Sequence, residues 1–177
     1  PRMARHSQAR VAQICETGVC VREDNRHTGS VMAPNEGKQA TAAGAGAVSA
    51  GEDKKWVIGV DLGGTNISVG ALPMNGGNGD VLGLRTVPTE AHRGAKYVVD
   101  RIVALINECR NEVAAQYGGS PDDFAGIGIG SPGPLDRATG TVINTPNLGW
   151  RNFPLRDLIS NAVGLPATLD NDANCAT

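Results

Sequence analysis

Two short segments hold the residue types from which chemistry could be built: Asp61-Leu62-Gly63-Gly64-Thr65-Asn66 and, about a hundred residues later, Asp170-Asn171-Asp172-Ala173-Asn174. A Gly-Gly-Thr turn between two strands presents backbone N–H groups and a hydroxyl to a phosphate, because glycine lets an anion reach the main chain without a Cβ in the way. Asp61 beside it can hold Mg2+ through water. In the second segment one carboxylate, Asp172, can accept the proton of an alcohol as its oxygen meets a γ-phosphoryl group. The Asn171 amide can fix neighbouring hydroxyls. Together the segments point to phosphoryl transfer to a hydroxyl. Each also has a plainer reading, Gly-Gly as a hairpin turn and Asp170 and Asp172 as helix caps.

The elements that must position these residues are legible from periodicity. Trp56-Val57-Ile58-Gly59-Val60 reads as a buried strand, and Gly63-Gly64 turns the chain. In residues 66–72, Ile67, Val69 and Ala71 alternate with Ser68 and Gly70, and the Gly- and Asn-rich run 75–79 separates this strand from a third at 81–87. Three consecutive antiparallel strands are expected. From Ala95 to Tyr117, Val99, Ile102, Ile106, Cys109 and Val113 recur at steps of three and four and predict one buried helix face, stopped by Gly118-Gly119 and Pro121. Residues 124–130 form a strand with Gly126, Gly128 and Gly130 on one face, where something must approach closely. A short strand at 141–144 leads to a loop through Trp150. Pro154 then opens a helix carrying Leu155, Leu158, Ile159 and Ala162 inward, closed by Gly164 and Pro166. A last strand, 167–170, delivers Asn171 and Asp172 to its carboxyl end, where ligands commonly lie in α/β sheets.

With 177 residues, one core is expected; 40% hydrophobic content with 24 glycines and 3% aromatics makes that core aliphatic and the loops many. A net charge of −2 without a basic face argues against a nucleic-acid partner and for a small molecule. No segment has the roughly 20 apolar residues of a membrane helix, and the first thirty lack a secretory core, so a cytoplasmic protein without a membrane partner is expected. Cys15, Cys20, Cys109 and Cys175 fit neither a disulfide framework nor a zinc knuckle, and His6, His27 and His92 have no metal-ligand spacing. Residues 1–54 show no sustained periodicity and read as a disordered tail. The initial proline fits a processing product, a fragment end or translated sequence ahead of Met32.

Four motifs in order, Asp61 to Thr65, Gly128-Ile-Gly-Ser-Pro-Gly-Pro-Leu-Asp136, Asn144-Thr-Pro-Asn-Leu-Gly-Trp150 and Asp170 to Asn174, resemble the ROK family of repressors and sugar kinases. The resemblance covers residues 56–177. It implies an α/β, actin-like ATPase or ribonuclease H-type fold: an antiparallel three-strand start extended by parallel strands, helices on the faces, and two domains closing over ATP and a hexose. This chain resembles the first of those halves. By resemblance Asp61, Gly63, Gly64, Thr65 and Asn66 face the ATP phosphates and magnesium. Gly133, Asn147, Asn171 and Asp172 face the sugar, with Asp172 as the base.

The family's second half carries a His- and Cys-rich zinc motif, further sugar-site residues and the adenine loops. None of these is expected within residues 55–177, which form a truncated amino-terminal nucleotide- and sugar-binding domain with no zinc. One sheet face would then lack its helices, so marginal stability or association is expected, and the isolated chain should be inactive. Homo-oligomers would belong to the full-length protein. Trp150 reads as a packing residue and Cys175 as a small buried group. The leading reading is a glucokinase-type hexose kinase. A sugar-responsive ROK transcriptional regulator and a non-catalytic sugar-binding remnant are the alternatives; the regulator requires a helix-turn-helix, and residues 1–54 offer only a short helix at 10–17 with no second, recognition-helix pattern.

Overall fold

The computed structural model describes residues 7–15, 55–74 and 80–171. Residues 7–15 form a helix, α1. After it come β1 (Trp56–Leu62), β2 (Asn66–Pro73), β3 (Leu82–Pro88), α2 (Ala95–Tyr117), β4 (Phe124–Ser131), β5 (Leu135–Asp136), β6 (Thr141–Thr145), β7 (Trp150–Phe153), α3 (Leu155–Val163) and β8 (Ala167–Asn171).

A five-stranded sheet has the order β3-β2-β1-β4-β8. The first three strands pair antiparallel, and β4 and β8 then extend the sheet in parallel with β1. Strand β1 is buried along its whole length because each face meets a different layer. Ile58, Val60 and Leu62 join Ile67, Val69, Ile129 and the α2 side chains Val98, Ile102, Ile106 and Val113 in the main core. Burying each of these aliphatic side chains favours folding by roughly 1.5–3 kcal/mol. The opposite face presents Val57 and Leu72 to Val11 and Cys15 of α1.

Helix α2 ends where glycine permits it: Gly118 takes φ 69° and its N–H bonds the Ala114 carbonyl. Its buried Arg110 reaches past the core, donating from Nε to the Pro121 carbonyl at 3.1 Å and from Nη1 to the Val163 carbonyl at 3.5 Å. These bonds tie α2 to the turn before β4 and to the end of α3, and they satisfy a guanidinium that would be costly to bury unpaired.

Several expectations are corrected. On α2 the expected Ile102, Ile106, Cys109 and Val113 are buried and Val99 packs partly buried against the core, while Val98, Leu105 and Ala114 widen the stripe. On α3 only Leu155 and Ile159 are buried; Leu158 is 40% exposed and Ala162 is exposed. The loop expected before Pro154 contains β7, which pairs with β6 to make a hairpin, and β5 completes a three-stranded sheet. Residues 7–15 of the expected disordered tail form α1, which packs locally on the sheet face opposite α2, against Val57, Leu72, Gly59 and Gly128. The rest of residues 1–54 lies outside the described residues. Among the described residues, no helix is long and apolar enough to cross a membrane.

Candidate active site

Strand register brings the two chemical segments to one edge. Asp61 pairs with Gly130 across β1 and β4, and Gly130 pairs with Asp170 across β4 and β8. The three residues therefore sit at one level on three adjacent parallel strands, at their carboxyl ends. Neighbouring strands lie about 4.8 Å apart, so Asp61 and Asp170 are separated by roughly two such spacings. Residues in register share a face, and this is the face that α1 covers.

The turn from β1 to β2 is short and tied. The Gly63 N–H bonds the Asn66 carbonyl at 2.8 Å, closing the loop on itself. Thr89, fully buried just beyond β3, donates its hydroxyl to the Gly63 carbonyl at 2.7 Å and its N–H to the Thr65 carbonyl at 2.8 Å. Thr65 and Asn66 stay exposed, and Gly63 and Gly64 are partly so. Asp61 is buried and faces Arg10, its Oδ2 lying 3.5 Å from the guanidinium Nε.

The second loop system comes from β4 to β7. Gly133 adopts φ 95°, and a Cβ there would strike the Asn144 carbonyl oxygen and lie 2.9 Å from the Thr145 methyl. Only glycine fits such a position comfortably. Its carbonyl accepts a 2.7 Å bond from the Asn171 side-chain amide, so the second and fourth motifs are joined directly. Asn147 is exposed at the tip of the β6–β7 hairpin, whose turn is held by the Leu148 N–H on the Thr145 carbonyl at 3.1 Å. This tip leans on the glycine turn: a Cβ built on Gly64 would lie 3.0 Å from Asn147 Cβ.

The structure thus gathers Asp61, Gly63, Gly64, Thr65, Asn66, Gly133, Asn147 and Asn171 around one end of the sheet. Asp172, the expected base, lies outside the described residues, directly after Asn171. Asp170 pairs with Arg137 at 3.0 Å and accepts the Asn171 N–H at 2.7 Å. Trp150 is a packing residue, buried with its ring 4.4 Å from that of Phe153. Sequence reasoning missed Thr89. Its signal was a threonine after Pro88, where a strand ends opposite the turn, but nothing local marks its hydroxyl as directed at Gly63.

The residues fit a nucleotide's phosphates and a magnesium ion. The turn is open at Thr65 and Asn66 and has no Cβ at its two glycines. Among the described residues no group of three or more His, Cys, Asp or Glu converges, so a cation at Asp61 would draw most of its ligands from phosphate oxygens and water.

A mixed sheet with an antiparallel start, parallel extension and a glycine turn after its first strand defines an actin-like ATPase type of domain. The family model described as "ROK family" matches residues 57–177, and the chain belongs to that family. It is 33% identical over 122 residues to the glucokinase of Halalkalibacterium halodurans, covering 69% of this chain and 35% of that protein. The crystal structure of a ROK family glucokinase from Streptomyces griseus in complex with glucose and AMPPNP matches with a TM-score of 0.55 and 34% identity, over 67% of this chain and 34% of that one. The xylose repressor of Caldicellulosiruptor bescii is 46% identical over 55 residues, 31% of this chain and 14% of that protein. The chain spans about a third of the length of the glucokinases it matches. Neighbours sharing the fold are ROK sugar kinases, and the family also includes regulators.

Proposed function

We propose that this chain is the amino-terminal part of an ATP-dependent hexose kinase of the glucokinase type, converting ATP and D-glucose to ADP and glucose 6-phosphate. The observation that supports this reading is the meeting of the Gly64 turn with the Asn147 tip, a backbone able to hold phosphate next to a loop suited to hydroxyls. Bound MgATP would supply the electrophilic phosphorus and neutralise the charge that develops on the phosphoryl oxygens. Gly63, Gly64 and the Thr65 hydroxyl would grip the phosphates, and Asp61 would hold magnesium through water. Gly133 and Asn171 form one unit through their 2.7 Å bond, fixing the sugar-side wall. Asn147 and the Asn171 carboxamide oxygen meet the sugar hydroxyls. Asp172 accepts the proton of the attacking hydroxyl as its oxygen bonds to phosphorus, and the bond to the ADP oxygen breaks. Positioning supplies most of the acceleration.

Asp172→Asn in the full-length kinase tests the reading. Loss of a general base lowers hexose-dependent ADP release by roughly 10²–10⁴-fold. A fall smaller than about tenfold would assign Asp172 to helix capping instead.

A second reading, a sugar-responsive regulator, draws on the similarity to the xylose repressor. Sequence-specific DNA binding that glucose reverses, without hexose-dependent ADP release, would favour it.

A further inference from the structure

Three glycines floor the sheet face opposite α2, and the pattern has a definite occupant. A Cβ at Gly59 would lie 2.7 Å from both Cys15 Sγ and the Val11 carbonyl oxygen, and one at Gly128 would lie 2.7 Å from the Ile14 carbonyl oxygen. At Gly130 it would come within 2.6 Å of Ile14 Cδ1, whereas at Gly70 the nearest group is Val81 Cγ1, with Val11 Cγ1 at 3.2 Å. The backbone of α1 thus rests directly on β1 and β4, at a separation only glycine allows. Gly126, expected to share this role, abuts the Pro166 carbonyl instead, because the β1–β4 register shifts near its start. Val11, Ile14 and Cys15 are at most 2% exposed, so the helix is seated rather than grazing. Its seating carries Arg10 to Asp61, the carboxylate beside the phosphate turn, 3.5 Å away.

We propose that residues 7–15 are an autoinhibitory clasp: α1 docks in the glycine-floored groove, and Arg10 engages Asp61 in competition with a magnesium-bound phosphate chain. Docking stands on its own geometry, whereas the competition rests on the phosphate-turn reading given above. Arg10 occupies with positive charge the carboxylate that a hydrated cation would use, so the two cannot share it. Linkage makes the effect reciprocal: if docking weakens nucleotide binding by some factor, nucleotide loosens docking by the same factor. A partly exposed ion pair of this kind sets that factor at about two- to fivefold.

The test uses the full-length kinase and two readouts, maleimide labelling of Cys15 resolved by peptide mass spectrometry and calorimetric titration with Mg-AMPPNP. Cys15 should label at least about tenfold more slowly in the wild type than in Ile14→Asp, a change on the helix that leaves the sheet intact. Saturating Mg-AMPPNP should raise wild-type labelling by about two- to fivefold, and Arg10→Ala should bind Mg-AMPPNP tighter by the same factor. Wild-type labelling as fast as Ile14→Asp overturns docking, whatever the nucleotide does. Slow labelling with equal affinity in the wild type and Arg10→Ala overturns the competition and leaves the phosphate turn standing. Slow labelling with binding to neither protein overturns the competition together with the phosphate-turn reading.

Discussion

Gly64 and Asn147 stand against each other, with a Cβ on the glycine falling 3.0 Å from that of the asparagine. They are 83 residues apart in sequence and belong to different sheets, the glycine to the β1–β2 turn and the asparagine to the β6–β7 hairpin. The small sheet therefore serves as a bracket, carrying its tip to the β1–β2 turn while its Gly133 end receives Asn171 from β8.

Thr89 is the residue that holds the turn from beneath. Thr89→Val removes the hydroxyl bonded to the Gly63 carbonyl and should lower unfolding stability by about 1–3 kcal/mol, since that carbonyl loses a partner. Mg-AMPPNP affinity should fall with it, and Thr89→Ser should restore most of both. Calorimetric titration and urea denaturation of the three proteins check this.

Two left-handed glycines should respond differently to alanine. At Gly149, φ is 68° and a Cβ would meet nothing within 4 Å, so Gly149→Ala should cost about 1–2 kcal/mol from backbone conformation alone. Gly133→Ala adds contact with the Asn144 carbonyl and Thr145 methyl to a φ of 95° and should cost more, by roughly 1–3 kcal/mol. It should also weaken glucose binding by displacing the Asn171 partner. Equal denaturation midpoints for the two variants would show that the hairpin yields freely.

Burial pushes the Cys109 thiol up from 9.0 to about 12, with Arg85 opposing the shift and Glu112 adding to it. A folded-state value raised in this way stabilises the protein fully below the unfolded value and is lost as pH rises through the folded one. The contribution should therefore decline between about pH 9 and pH 12, by at most about 1.4 kcal/mol per pH unit. Denaturation of wild type and Cys109→Ala at pH 8 and pH 10.5 checks it: the wild type should lose more stability on that step.

Much of this arrangement was written in local pattern. The three antiparallel strands, the helix from Ala95 to Tyr117 and the parallel strands ending near Ser131 and Asn171 follow from alternation, helical spacing and glycine stops, which are short-range signals. The turn glycines and Asn171 were readable because a motif states chemistry in consecutive residues. The β6–β7 hairpin was not, since Trp150–Phe153 is a four-residue strand defined by its partner rather than by its own alternation. Helix α1 was legible only as a short helix over 10–17, without its seat, because nine residues have little helical persuasion without the groove beneath them. The sheet glycines announced an approaching group, but no local pattern named the segment that fills the space. Thr89 likewise acts on a residue 26 positions away.

The proposed phosphoryl transfer requires the Gly63-Gly64 turn and the β6–β7 hairpin to share one cleft, and a cysteine pair measures that directly. In the chain carrying both Gly64→Cys and Asn147→Cys, the Cβ atoms start 3.0 Å apart, just short of the spacing of about 3.5–4.5 Å that a disulfide takes. Mild oxidation, followed by peptide mass spectrometry, should show a bond between positions 64 and 147 in the folded protein. Two free thiols at those positions, in a protein that retains the wild-type circular dichroism, would contradict the shared cleft.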